Sequence, residues 1–277
     1  MQVRTPAVAG MFYPKSSEEL KSSIKNCFLH KYGPGKLPPS LEDKKIIGVI
    51  CPHAGYEYSG SIAANSYYAI SSQRPELVII IGPNHWGIGQ DIATMKGVWQ
   101  TPLGDVEIDS QYATEINKIC KLIEIDSFSH TRDHCLEVQL PFLQEIFSYK
   151  FKILPLILID QSYHAAKEIG KAIAKIAKIK KTVIIGSSDF THYEPNDFAH
   201  TQDKSLIETI VSLDVDKFYN ILEEKQISAC GYGAIASTMI ACKELGASKG
   251  ILNKYATSGD ITGDKSSVVG YASIVFV

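Results

Sequence analysis

The sequence lacks the features by which several classes of protein are recognised. No apolar run approaches the roughly 18 residues needed to span a bilayer, and Met1 to Gly10 has no basic stretch leading into an apolar one, so no secretory leader is read there. Six cysteines, Cys27, Cys51, Cys120, Cys135, Cys230 and Cys242, are scattered with no CxxC pair. That spacing excludes the dense disulfide framework of small secreted domains and points to reduced thiols in the cytoplasm. Charge of one sign is also missing: 28 basic and 30 acidic residues give a net charge of −2. Broad binding to nucleic acid or to a membrane surface therefore has no electrostatic basis. There is no GxxxxGK followed by Ser or Thr, and no GxGxxG after a strand, which removes the usual nucleotide cradles and any reason to expect an organic cofactor. HExxH, internal repeats and low-complexity blocks are absent too.

What remains is ordinary globular material, 45% apolar and 21% charged, within the size range of one large α/β domain spanning residues 1–277. Short runs rich in Ile and Val have the length and composition of strands buried on both faces. They are Ile46 to Cys51, Leu77 to Ile81, Phe151 to Ile159, Thr182 to Ile185 and Val268 to Val277. Between them helical periodicity runs over Glu18 to Leu29, Ser61 to Ile70, Ser110 to Ile123, Leu136 to Phe147, Tyr163 to Ala177, Asp203 to Ser212, Val215 to Glu224 and Gly233 to Leu245. Alternating strands and helices predict an α/β fold of three layers, a central, largely parallel sheet flanked by helices. From Gly97 to Ile108, Gly104-Asp105 separates two short extended runs and predicts a hairpin, which makes the sheet mixed. Tyr32 to Asp43, with Pro34, Gly35, Pro38 and Pro39, reads as a surface loop.

Three of the buried strands run straight into loops carrying histidine: Pro52-His53-Ala54-Gly55, Gly82-Pro83-Asn84-His85 and Gly186-Ser187-Ser188-Asp189-Phe190-Thr191-His192. In open α/β sheets ligands bind beyond the carboxyl ends of the strands, so parallel neighbours would bring these loops to one rim. A single such histidine is most simply a hydrogen-bonded loop residue; three repeats favour convergence, and imidazoles with an anionic ligand suit iron, copper, zinc or nickel. Cys230 precedes Gly231-Tyr232-Gly233 and a helix, where the positive end of the helix dipole would lower the thiol pKa. It reads as a ligand or a nucleophile, and the other five cysteines as packed core residues. Asp189 and His192 form an acid/base pair, or Asp189 completes a two-histidine, one-carboxylate set, or it orients a ligand. His134 and Glu137, at i and i+3 near a helix start, either cap that helix or line a pocket and touch what it binds. His30, His130, His164 and His200 stand in polar surroundings and read as surface residues.

Arg4-Thr5-Pro6-Ala7-Val8-Ala9-Gly10-Met11-Phe12-Tyr13-Pro14, Pro52-His53-Ala54-Gly55-Tyr56, Gly82-Pro83-Asn84-His85, Thr101-Pro102-Leu103-Gly104, Ser188-Asp189-Phe190-Thr191-His192-Tyr193 and Val269-Gly270-Tyr271-Ala272-Ser273 resemble, in content and order, the successive signatures of the Memo-like family. The resemblance spans essentially the whole chain. It implies the fold of the class III extradiol dioxygenases, enzymes that open catechol rings with non-haem iron. It also implies a pocket lined by two histidines and a cysteine, matching His53, His85 and Cys230, with Asp189 and His192 beside them. Members of the family are associated with iron or copper and with redox signalling, and animal members with phosphotyrosine-containing partners. Those dioxygenases complete the iron site with a glutamate where this family has the cysteine. A thiolate is softer and favours copper(I), zinc or tightly held iron, so ring cleavage is not carried over. His192 matches the dioxygenase acid/base histidine.

Three readings compete on this basis. In one, His53, His85 and Cys230 hold a transition metal, iron or copper before zinc, with a redox or metal-handling role; if it is an enzyme, it is a metal-dependent oxidoreductase. Another makes Cys230, His192 and Asp189 the nucleophile, base and orienter of a metal-free hydrolase. The last keeps a vestigial pocket as a binding module for a peptide or protein partner. No residue pattern names a small-molecule substrate.

Overall fold

Along the run Leu77–Pro83 the side chains alternate between two apolar layers: Leu77, Ile79 and Ile81 pack into one, Val78 and Ile80 into the other, all fully buried. A period of two with both faces dry is what a central strand requires. The computed structural model describes residues 2–40 and 45–277. In chain order the elements are β1 (Val3–Arg4), α1 (Ser17–Leu29), β2 (Gly48–Cys51), α2 (Ser61–Ile70), β3 (Leu77–Pro83), β4 (Ile92–Thr94), β5 (Val98–Thr101), β6 (Gly104–Ile108), α3 (Ser110–Ile119), β7 (Glu124–Ile125) and α4 (Gln139–Ile146). They continue with β8 (Lys152–Leu158), α5 (Tyr163–Ala177), β9 (Thr182–Ser187), β10 (His192–Glu194), α6 (Asn196–Val211), α7 (Val215–Lys225), α8 (Tyr232–Glu244), β11 (Gly250–Thr257), α9 (Ser258–Thr262) and β12 (Val268–Phe276).

The sheet runs β1-β5-β6-β8-β3-β9-β2-β12-β10, with β11 on the other side of β12 and β4 against β8. From β6 to β2 every neighbour is parallel; β12 turns antiparallel to β2, and β5 is antiparallel to β6. The sheet is therefore mixed and mostly parallel, as expected. Helices α3, α5, α6, α7 and α8 cover one face, and α1, α2 and α4 the other. Burying each Leu or Ile of these layers contributes about 1.5–3 kcal/mol, so the strand positions, and with them the loops at the strand ends, are fixed by the two cores.

Several expectations are corrected. The helix expected over Asp203–Ser212 begins at Asn196, because Pro195 supplies the fixed extended residue before the first turn. The one expected over Leu136–Phe147 starts only at Gln139; residues 135–138 form tight turns closed by Gln139 N–H to the Leu136 carbonyl and Leu140 N–H to the Glu137 carbonyl. The helix from Ser110 ends at Ile119, where Cys120 turns to extended backbone. In the β5–β6 hairpin the turn is Pro102-Leu103, not Gly104-Asp105, since Thr101 pairs with Gly104. β11 was not read at all. Residues 32–40 of the expected loop carry neither helix nor strand, and 41–43 lie outside the described residues.

Candidate metal centre

β2, β9 and β3 are parallel neighbours in that sheet, with Cys51 in register with Ser187 and Ile81 with Gly186. Their carboxyl ends deliver His53, Ser188-Asp189 and His85 to one rim. The Ser188 N–H donates to the Cys51 carbonyl at 2.9 Å, tying two of these exits together. Cys230 reaches the same rim from the start of α8. Gly231, the residue before that helix, lies so close to β9 that a Cβ there would stand 2.4 Å from the Ser187 carbonyl oxygen. Only glycine lets Cys230 approach this closely.

The sulfur of Cys230 lies 3.0 Å from Nε2 of His53. The His53 and His85 rings meet edge-on with centroids 5.1 Å apart, and one ligand atom from each of His53, His85 and Cys230 lies within 4.8 Å of the others. His53 is buried, His85 is about 30% exposed at its side chain, and Cys230 is intermediate. The cluster is thus enclosed on the His53 side and open on the His85 side.

The surroundings fix which nitrogen of each ring is free. The Ser187 hydroxyl donates to the Cys135 carbonyl at 2.8 Å and accepts from Gln139 Nε2 at 2.9 Å. Its contact at 2.8 Å with His53 Nδ1 is then an acceptor contact, so Nδ1 carries the proton and Nε2 is left as a bare lone pair facing Cys230. Nδ1 of His85 lies 3.1 Å from both oxygens of Asp133, whose carboxylate also accepts the His85 N–H at 2.6 Å and the Cys135 N–H at 2.9 Å. Burial by itself raises the Asp133 carboxyl, but the hydrogen bond and charge of His85 outweigh it and hold it well below the usual range. Burial, then the neighbouring His85, keeps His53 neutral, its pKa well below that of a free imidazole. The His53 ring is therefore held as its Nδ1–H tautomer by a hydroxyl, and Nδ1 of His85 is engaged by a carboxylate, the arrangement that commonly supports metal-bound imidazole. His85, Asp133 and Cys135 also cluster, but their polar atoms bond one another and Cys135 Sγ bonds the Pro83 carbonyl at 3.0 Å. This second group orients His85.

The thiol expectation is corrected. The N–H groups at the start of α8 are already taken, Gly231 by Ser188 Oγ at 2.9 Å and Gly233 by Gln161 Oε1 at 2.8 Å. Burial, then the Asp189 charge, pushes the Cys230 pKa up instead of down. Asp189 donates its N–H to the Cys230 sulfur at 3.3 Å and accepts the His53 N–H at 2.8 Å through Oδ1, while Oδ2 stands 4.0 Å from His53 Nε2. Burial raises its carboxyl pKa.

His192 is held elsewhere: its Nδ1 bonds the Ser228 carbonyl at 2.9 Å, and its N–H donates to Ser228 Oγ at 2.8 Å. Among the described residues no hydrogen bond joins His192 to Cys230 or Asp189, and the imidazole against the thiol is His53. The Cys230–His192–Asp189 relay drawn from the sequence is thus not the one the hydrogen bonds form. His134 stacks on His85 at 4.6 Å, with Phe12 against it at 4.5 Å; burial, then His53 and His85, pushes its pKa down to about 3. Glu137 is corrected outright. It is fully buried, and its carboxylate is consumed by Arg4, the N–H groups of Ala7 and Val8 at 2.9 and 3.1 Å and the Tyr13 hydroxyl at 2.5 Å. It fastens the N-terminal segment and faces no ligand. His130 is likewise no surface residue: it is completely buried against Trp99.

Asp133, Ser187, Gln139 and Gln161 were not singled out from the sequence. Asp133 adjoins His134, and Ser187 lies within a loop already read as functional, but nothing in a single sequence distinguishes a supporting polar residue from a solvated one.

The model of the family described as Memo-like protein matches residues 4–275. A MEMO1 family protein of Nitrosopumilus maritimus is 60% identical over 276 residues, 99% of this chain and 100% of that one. Others from Methanopyrus kandleri and Methanocaldococcus jannaschii are 48% and 46% identical, each over 99% of this chain and 98% and 99% of theirs. Among solved structures, the crystal structure of an uncharacterized protein of Escherichia coli K12 has a TM-score of 0.57 at 11% identity, covering 84% of this chain and 100% of that one. At that identity the likeness is one of fold.

Proposed function

Because the chain belongs to the Memo-like family, we propose that His53, His85 and Cys230 hold a transition-metal ion, iron or copper before zinc, and that the site has a redox or metal-handling role. The observation that carries this reading is that one ligand atom each of His53, His85 and Cys230 lies within 4.8 Å of the others, with the Nε2 lone pair of His53, freed by Ser187, facing the sulfur. The donor spacing fits. A tetrahedral ion with bonds of roughly 2.0–2.1 Å to nitrogen and 2.3 Å to sulfur needs the two donors about 3.5 Å apart, a value between the 3.0 Å contact and the 4.8 Å outer limit of the cluster. Three protein donors and one open side are the pattern of reactive sites, whereas structural sites close with four.

When bound, such an ion supplies one-electron or Lewis-acid chemistry. The chain supplies the rest. His53 remains a neutral donor, and Asp189, with its raised pKa and its Oδ2 near His53 Nε2, can hold a proton beside the site. The Cys230 proton must leave as the metal enters, so binding strengthens as pH rises. We place the protein in the reducing cytoplasm, where its six free thiols stay reduced.

The test is elemental analysis of untagged protein reloaded with iron, copper or zinc. About one ion per chain is expected, with copper displacing zinc, and a loss of metal in His53→Ala, His85→Ala and Cys230→Ala. Undiminished content in all three variants would exclude this site.

A further inference from the structure

At β11 the sheet ends without a neighbour. This strand pairs with β12 and with no other strand among the described residues, so its outer row of backbone N–H and C=O groups is open. Helix α6 packs across β11, and its face carrying Lys204, Ile207 and Val211 stands beside that open edge. Between them runs a groove of about 810 Å³. Ile251, Leu252 and Tyr255 complete an apolar lining with the two aliphatic residues of α6, and Lys204 and Lys249 flank it against a single Glu208.

The dimensions fit one strand. A residue in a packed strand takes up roughly 160 Å³, from about 3.3 Å of rise, 4.8 Å between strands and 10 Å between layers. The groove therefore holds about five residues, and the open edge from Gly250 to Tyr255 offers backbone partners over a similar length. The charges choose the occupant. Two lysines to one glutamate favour a ligand bearing carboxylates. A second copy of the chain would bring together two rims of the same net charge, which disfavours it against an acidic partner.

We propose that the β11–α6 groove is a docking slot for an extended acidic segment of another protein, which adds to β11 as a strand. Its apolar side chains pack on Ile207, Val211 and Leu252, and its carboxylates face Lys204 and Lys249. The slot is separate from the metal centre and does not depend on it.

The test uses the full chain and a fluorescein-labelled seven-residue peptide of alternating glutamate and valine, with a lysine–valine peptide of the same length as control. Saturable binding of the acidic peptide is expected by anisotropy, weakening with salt, together with slowed amide hydrogen exchange over residues 250–255. The Lys204→Glu/Lys249→Glu variant, changed only at exposed positions, should lower that affinity about tenfold and improve binding of the lysine peptide. No saturable binding, or binding indifferent to the double reversal, overturns the proposal. So does a concentration-dependent dimer that protects the same amides without peptide, since the occupant would then be a second copy.

Discussion

Nδ1 of His53 donates to the Ser187 hydroxyl across 2.8 Å, and that hydroxyl has no other role left to offer, because it gives its own proton to the Cys135 carbonyl and accepts from Gln139. One residue of β9 thereby sets the tautomer of a residue at the end of β2. The register of the sheet, with Cys51 beside Ser187, places these partners opposite each other. Backbone pairing deep in the core is thus the cause of the electronic state of a side chain at the rim.

Ser187→Ala should therefore weaken metal binding while leaving all three donors in place. Loss of a partner that holds a ligating imidazole typically costs 10–100-fold in affinity, measurable by competition with a chromophoric chelator. The same change removes one of the two donors to the buried Cys135 carbonyl, Gln139 Nε2 remaining at 3.3 Å, which costs about 0.5–1.5 kcal/mol in denaturant unfolding. Unaltered affinity in a folded variant would refute the tautomer argument.

Glu137→Gln should release the N-terminal segment. The carboxylate binds Arg4, two backbone N–H groups and Tyr13 at once, and Arg4 is 4% exposed. Removing one charge of a buried pair costs about 3–5 kcal/mol because the other is left uncompensated. Faster amide exchange over residues 4–14 is expected, and with it loosening of His134, whose outer face rests on Phe12 from that segment. Exchange no faster than in the parent chain would mean that the segment is held by other contacts.

The sheet was legible because its central strands, β3, β8 and β9, are apolar on both faces, a pattern that length and β-branching resolve. β11 was not, since as an edge strand it carries Asn253 and Lys254 and a register shift that breaks alternation. At the site, His53, His85 and Cys230 could be picked out by residue type and by their place after strands or before a helix. Their supports could not. Asp133 and Ser187 are ordinary polar residues whose meaning comes only from a partner 48 or 134 positions away. Glu137 and His130 misled for the same reason, since local polarity says nothing of burial contributed by Arg4 and Trp99.

Gly231→Ala is expected to damage the centre without touching a donor. The new Cβ would lie 2.4 Å from the Ser187 carbonyl and 2.9 Å from the Ser188 side chain, and a backbone atom of a central strand cannot yield. The start of α8 must shift instead, carrying the Cys230 sulfur away from His53. Overpacking of this kind costs about 1–3 kcal/mol, and metal retention should fall together with stability. Retained metal content would mean that the chain absorbs the methyl group without moving Cys230.

His130 is fully buried, neither of its ring nitrogens has a hydrogen-bond partner among the described residues, and its pKa is pushed down to about 3 by burial and then by the charge of Arg4. The folded chain thus keeps this ring neutral, while the unfolded chain protonates it near the ordinary value of about 6.5. Above that pH neither state takes a proton and the group has no pH effect. As pH falls from 6.5 toward 3, unfolding takes up one proton at His130, and stability drops by about 1.4 kcal/mol per pH unit, roughly 2 kcal/mol by pH 5. His130→Phe keeps an aromatic ring against Trp99 and removes the titration. Its stability relative to the parent should therefore rise by that amount between pH 6.5 and 5 in urea unfolding followed across the range. A difference that stays constant with pH would show that His130 finds a partner for its proton in the folded protein.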